Sequence, residues 1–215
     1  MDQLRLMQAI ETAYEWAIAK LDLSQCHYGK PHWDGAFIDR PLPYYFFLAG
    51  LVAKLRCSRI LEIGTHFGGS IFSIARGVEY SGPVPDPEIV TVDVRDNNSA
   101  AFQENPSVRR VLGNCLDLNI AREVASVFTA PVDLLFVDTI HAYAHTKRCL
   151  DIYLPLVLPC LVLLDDIHLN ESMSGLWKDL ESTYGNRAID VTEQSRRGKE
   201  VGFGLLMCRL DGEMA

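Results

Sequence analysis

The chain is 215 residues long, 48% apolar and 22% charged, with 20 Lys+Arg against 28 Asp+Glu and a net charge of −8. That length and balance fit one globular domain with an appendage and exclude wholesale disorder. The acidic surplus argues against a protein whose main partner is nucleic acid, and no apolar run is long enough to span a membrane.

Residues 1–24 place Leu4, Met7, Ile10, Tyr14, Ala17 and Leu21 at steps of three and four, the stripe of an amphipathic helix. The stretch carries acids and lacks the basic and apolar regions of a signal peptide. Cys26, Cys57, Cys115, Cys149, Cys160 and Cys208 form no C-x-x-C pair and read as reduced thiols, so a cytoplasmic location is expected. Gly29, Pro31, Gly35, Pro41 and Pro43 make 25–43 a loop, and Tyr44–Arg56 reads as a second helix with an aromatic start. From residue 58 short apolar runs alternate with helical segments. The runs are RILEIG (59–64), IVTVDV (89–94), VRRVLGN (108–114), VDLLFVD (132–138) and CLVLLDDI (160–167). Strands apolar on both faces and separated by helices predict a parallel sheet covered on both sides. RAIDVTEQ and VGFGLLMCRL around the turn SRRGK predict a closing antiparallel hairpin.

In such a sheet ligands bind at the carboxyl ends of the strands, near the point where strand order reverses. There stand Glu62 and Gly64, then Asp93, then Gly113, Asn114 and Cys115, then Asp138, then Asp165 and Asp166. Every strand sends an acid or a glycine to one rim. The first loop, E-x-G-x-x-x-G, lacks the tight G-x-G-x-x-G turn that cradles a pyrophosphate. A carboxylate at Asp93 suits a ribose diol, which points to a nucleoside cofactor without a pyrophosphate.

RILEIGTHFGGS, IVTVDV, VRRVLGNCLD, DLLFVDTIHAY and LVLLDDIH, in this order and spacing, resemble the class I S-adenosylmethionine-dependent methyltransferases. The likeness covers roughly 58–210 and is strongest to the metal-dependent small-molecule O-methyltransferases of the catechol, caffeoyl-CoA and antibiotic- or sugar-tailoring kinds. It implies a Rossmann-like, doubly wound, mostly parallel seven-stranded α/β sheet with a C-terminal antiparallel hairpin. Residues 58–215 would bind the cofactor, and residues 1–57 would form an N-terminal helical extension over the acceptor. It also implies that Glu62, Gly64, Thr65, Gly68 and Ser70 hold the methionine moiety of S-adenosylmethionine and Asp93 the ribose, with Asn114, Cys115 and Asp117 facing the adenine. Asp138, Asp165 and Asp166 would share Mg²⁺ or another oxygen-preferring cation, which converging carboxylates need for neutralisation. The family's lysine base is replaced by His141, whose neutral imidazole can take a proton directly.

The acceptor implied is a hydroxylated small molecule: a catechol, a sugar or another diol. No nucleic acid or membrane is expected as a partner, and the apolar stripe of the first helix suits a dimer contact. Adjacent Asp165 and Asp166 point to opposite faces of a regular strand, so Asp166 is the weaker ligand. His168 is an alternative base or ligand. His145 reads as an exposed helix start and Cys115 as a small filler. Tyr44–Phe47 and Trp33 read as core, with an aromatic acceptor pocket as the alternative. Arg196, Arg197 and Lys199 read as a solvated turn. Two other functions stay open: a nicotinamide-dependent oxidoreductase, against which the missing G-x-G-x-x-G counts, and a non-catalytic cofactor-binding module, against which the intact carboxylates count.

Overall fold

The structure is a computed structural model that describes residues 3–26, 30–31, 37–38, 40–82 and 86–209; Trp33 lies outside them. The elements in chain order are α1 (Gln3–Lys20), β1 (Lys30–Pro31), β2 (Phe37–Ile38), α2 (Pro43–Leu55), β3 (Arg59–Ile63), α3 (Gly69–Tyr80), β4 (Glu88–Asp93), α4 (Ser99–Glu104) and β5 (Val108–Leu112). They continue with α5 (Leu118–Ala125), β6 (Leu134–Val137), α6 (Tyr143–Val157), β7 (Leu161–Asp165), α7 (Glu171–Tyr184), β8 (Ala188–Asp190), α8 (Thr192–Ser195) and β9 (Phe203–Met207). No helix among the described residues is long and apolar enough to cross a membrane.

The seven-stranded sheet runs β5-β4-β3-β6-β7-β9-β8, with β3 to β7 parallel and β9 antiparallel to both its neighbours. β6, β7 and β9 are buried along their whole length, which is why they read as unbroken apolar runs. The chain goes outward from β3 to β4 and β5, then returns to β6 on the other side. That reversal opens a crevice at the carboxyl ends of β3, β4 and β6.

Each sheet face has its own core. One is built on α1, α2 and α3 with Ile60, Phe136, Leu163 and Phe203 below them. The other is built on α5, α6 and α7 over Leu61, Val90, Leu135 and Val162. Helices α1 and α2 and the sheet therefore share one apolar layer. α2 is buried nearly all round, starts with a proline in its first turn and stops at Arg56, which takes a left-handed conformation. Glycines let the three helices approach closely. A Cβ on Gly50 would sit 2.1 Å from the Ala13 carbonyl oxygen, and one on Gly77 2.2 Å from that of Ala49.

The C-terminal strands pair antiparallel as expected, but not around a tight turn. Asp190 accepts from the Thr192 backbone N–H (2.9 Å), α8 follows, and β9 enters between β7 and β8. The intervening loop folds back over the sheet end, and Arg197 points inward from it, not into solvent as its sequence suggested.

Candidate functional site

The crevice contains a cavity of about 300 Å³ walled by the ends of four strands, with Gly64, Asp93, Asn114, Cys115, Thr139 and His145 among its lining residues. Gly64 is where the backbone demands glycine. Its φ is +101°, and a Cβ would lie 1.6 Å from the Asp138 carbonyl oxygen. Its N–H donates to Val92 O (2.9 Å) while the Asp138 N–H donates to Ile63 O (2.9 Å), so three strand ends are laced together. Gly68, φ +88°, then turns the chain into α3. Asp93 stands at the mouth and accepts from the backbone N–H groups of His66 (2.9 Å) and Arg95 (2.9 Å).

Glu62, Thr65 and Ser70 are not on the wall. They lie beneath the loop, 0%, 2% and 5% exposed. Ser70 and Thr91 each donate a hydroxyl to one Glu62 oxygen (2.5 Å each), and Thr65 and Thr91 share a hydrogen at 2.6 Å. Burial pushes the Glu62 carboxyl up to about 8 against the lowering effect of these two bonds. This buried polar peg joins β3, β4 and the start of α3, so it shapes the loop from below.

Asn114 bends its own turn by accepting from the Leu116 N–H (2.9 Å) at the cavity edge. Asp117, expected to face the adenine, instead caps α5 by accepting from the Asn119 N–H (2.8 Å). Two cavity residues escaped the sequence reading. Thr139 is one. His145, expected to be exposed, is half-buried, with its Nε2 3.7 Å from Cys115 Sγ and 3.4 Å from Thr139 Oγ1.

The carboxylates gather one strand over. Asp165 and Asp166 are buried, 2% and 7% exposed. They do not point to opposite faces, because the strand ends at Asp165 and Asp166 adopts φ +60°. The turn brings both onto one guanidinium. Arg197 donates to Asp165 through Nε (2.8 Å) and Nη2 (2.7 Å), and to Asp166 through Nη2 (2.8 Å). Its other side lies over the Tyr44 ring, 4.6 Å from the centroid. Burial alone would weaken the charge on Arg197, but Asp165, Tyr44 and Asp166 together outweigh it and keep the group protonated. His141 Nε2 lies 3.3 Å from Asp166 Oδ2 and 3.8 Å from Asp138 Oδ1. Desolvation, then the charge of Asp165, raises the Asp138 carboxyl well above the ordinary carboxylate range. His168 turns elsewhere, to Asp190 at 2.8 Å.

Ligand oxygens around one divalent ion, at roughly 2.0–2.6 Å from it, lie at most about 5 Å apart. Among the described residues the carboxylates and His141 form no such group of three; the set whose ligand atoms all lie within 4.8 Å of one another is Cys115, His145 and Cys149. As they stand, the three aspartates do not fit one shared ion. The neutralising cation that two of them need is Arg197. The sequence held a signal for this, since buried carboxylates require a counter-charge and the last loop supplies Arg-Arg-Gly-Lys.

Residues 61–167 match a family model described as a methyltransferase domain. The chain carries a methyltransferase domain. Its fold is that of the class I S-adenosylmethionine-dependent methyltransferases. Uncharacterized protein y4gI of Sinorhizobium fredii is 27% identical over 183 residues, 81% of this chain, and the chain spans only 20% of that protein. Among solved structures, the O-methyltransferase TomG of Streptomyces achromogenes in complex with S-adenosylmethionine superposes with a TM-score of 0.65 at 19% identity, covering 98% of this chain and 100% of that one. An O-methyltransferase of Bacillus cereus in complex with S-adenosylhomocysteine gives 0.57 at 17% identity, covering 97% and 92%. The mycinamycin-pathway methyltransferase MycE with Mg and S-adenosylhomocysteine gives 0.56 at 18%, covering 90% and 56%. In the methyltransferase domain of this chain the cavity occupies the strand-order switch, and the Asp138 backbone packs against Gly64 on its wall.

Proposed function

We propose that this chain transfers the methyl group of S-adenosylmethionine to a hydroxyl oxygen of a small molecule. The observation that carries the reading is the cavity at the switch point with Asp93 at its mouth, where a ribose diol can donate to the carboxylate. Gly64 leaves room for close backbone approach. The names of TomG, tied to tomaymycin synthesis, and of MycE, tied to mycinamycin, support a natural-product acceptor such as a sugar, catechol or other diol.

His141 is the proposed base. It takes the hydroxyl proton at Nε2 as the oxygen attacks the sulfonium methyl in line. The methyl–sulfur bond breaks as the oxygen–methyl bond forms, leaving the methyl ether, neutral S-adenosylhomocysteine and a protonated imidazole. Asp166, 3.3 Å from that nitrogen, lies close enough to stabilise the imidazolium. Arg197 holds Asp165 and Asp166 in place. A divalent cation on the aspartates would polarise the acceptor oxygen, but they do not fit one as arranged.

The test is calorimetric titration of S-adenosylhomocysteine into chelated protein, repeated with Mg²⁺. Micromolar binding in both conditions is expected; no heat in either removes the transferase reading. With an acceptor in hand, His141→Gln should lower kcat by roughly 100-fold or more while leaving S-adenosylhomocysteine affinity within about twofold. Turnover that vanishes on chelation and returns with Mg²⁺ would instead restore a shared cation at the aspartates.

A further inference from the structure

Among the described residues, one set of three side chains has metal-competent geometry, and it lies beside the cavity. Cys115 Sγ is 3.6 Å from Cys149 Sγ and 3.7 Å from His145 Nε2, and all three ligand atoms fall within 4.8 Å of one another. Around a tetrahedral ion with Zn–S near 2.3 Å and Zn–N near 2.0 Å, sulfur–sulfur edges come to about 3.8 Å and sulfur–nitrogen edges to about 3.5 Å. The two edges at Cys115, 3.6 and 3.7 Å, lie close to these values. His145 and Cys149 stand four residues apart on α6, on one helix face, and Cys115 faces them from the loop after β5. The same face continues to Tyr153, fully buried, whose hydroxyl has no hydrogen-bond partner. We infer that Cys115, Cys149 and His145 form a site for a thiophilic divalent cation of the zinc class, and that the occupied site competes with the nucleoside cofactor.

The donor set selects the ion: two sulfurs and an imidazole suit zinc over magnesium or calcium. Cys115, Thr139 and His145 are all wall residues of the cavity, so the ion's fourth position opens into the proposed cofactor volume. This second half rests on the cofactor reading above.

The experiment adds Co²⁺ to the reduced, chelated full chain and records absorption. The expected result is a one-to-one spectrum with thiolate-to-cobalt charge transfer and the strong visible bands of a tetrahedral ion, erased by Zn²⁺. It should disappear in Cys149→Ser and in His145→Gln, each checked for an unchanged circular dichroism spectrum. Absence of the spectrum, or its persistence in both variants, overturns the site. Loss of two hydrogens from Cys115 and Cys149 under mild oxidation, without a cobalt spectrum, also overturns it in favour of a disulfide. S-Adenosylhomocysteine affinity should fall at least about tenfold at saturating Zn²⁺ in the wild type and not in Cys149→Ser. An unchanged affinity overturns the competition. Failure of S-adenosylhomocysteine to bind the metal-free protein at all would sink the transferase reading and leave the cobalt result standing.

Discussion

Arg197 shows how one side chain can replace what a cluster of acids would otherwise recruit. Removing it leaves Asp165 and Asp166 buried with no counter-charge, so Arg197→Met should cost roughly 3–5 kcal/mol in urea unfolding. Adding Asp165→Asn to that variant should recover part of the loss. A cost below about 1 kcal/mol would mean that the carboxylates find water or another partner. Glu62 gives a second residue-scale prediction. Folded, it keeps its proton up to about 8; unfolded, it releases it near 4.5. Between those values the folded state binds more protons, so this group makes wild-type stability fall as pH rises, by an amount of the order of a few kcal/mol. Glu62→Gln has no such proton to lose. Its stability relative to wild type should therefore climb from about pH 5 to about pH 8, as read by denaturant melts; a constant difference would contradict the buried neutral carboxyl.

At the level of elements, packing sets limits that propensity does not. Alanine favours a helix over glycine by up to about 1 kcal/mol, yet Gly50→Ala should destabilise by several times that. Its Cβ would meet the Ala13 carbonyl, and thermal melting should show a lower midpoint. The helices and parallel strands were legible because each carries its own period or apolar run, and Asp93, Asp138 and Asp165 were found by standing at strand ends. What stayed hidden depends on contacts distant in sequence. Arg197 sits among charged residues that read as solvated, and only the return of β9 beside β7 turns it inward. Asp166 was misplaced because nothing local announces its left-handed backbone. His145 does stand at a helix start, but its half-burial stayed hidden because its partner, Cys115, is thirty residues earlier.

For the molecule as a whole, α1 belongs to the main body. Leu6, Ile10 and Ala13 cover α2, while Arg196–Glu15 (3.0 Å) and Gln194–Glu11 (3.1 Å) join α1 to the last loop through exposed pairs of little energetic weight. Residues 58–215 alone should therefore fail to fold cooperatively, with the sheet face beneath α2 laid bare; a sharp two-state melt of that fragment would show otherwise. The place of β9 also governs when the protein can form during synthesis. β8 precedes in the chain the strand that must separate it from β7, so it emerges first. Until Phe203–Met207 emerge, the β7 edge is open, buried apolar residues lack their cover, and β8 could pair wrongly with β7. A free chain truncated before residue 203 should be the species that chaperones hold and proteases cut, and restoring Phe203–Met207 should end both.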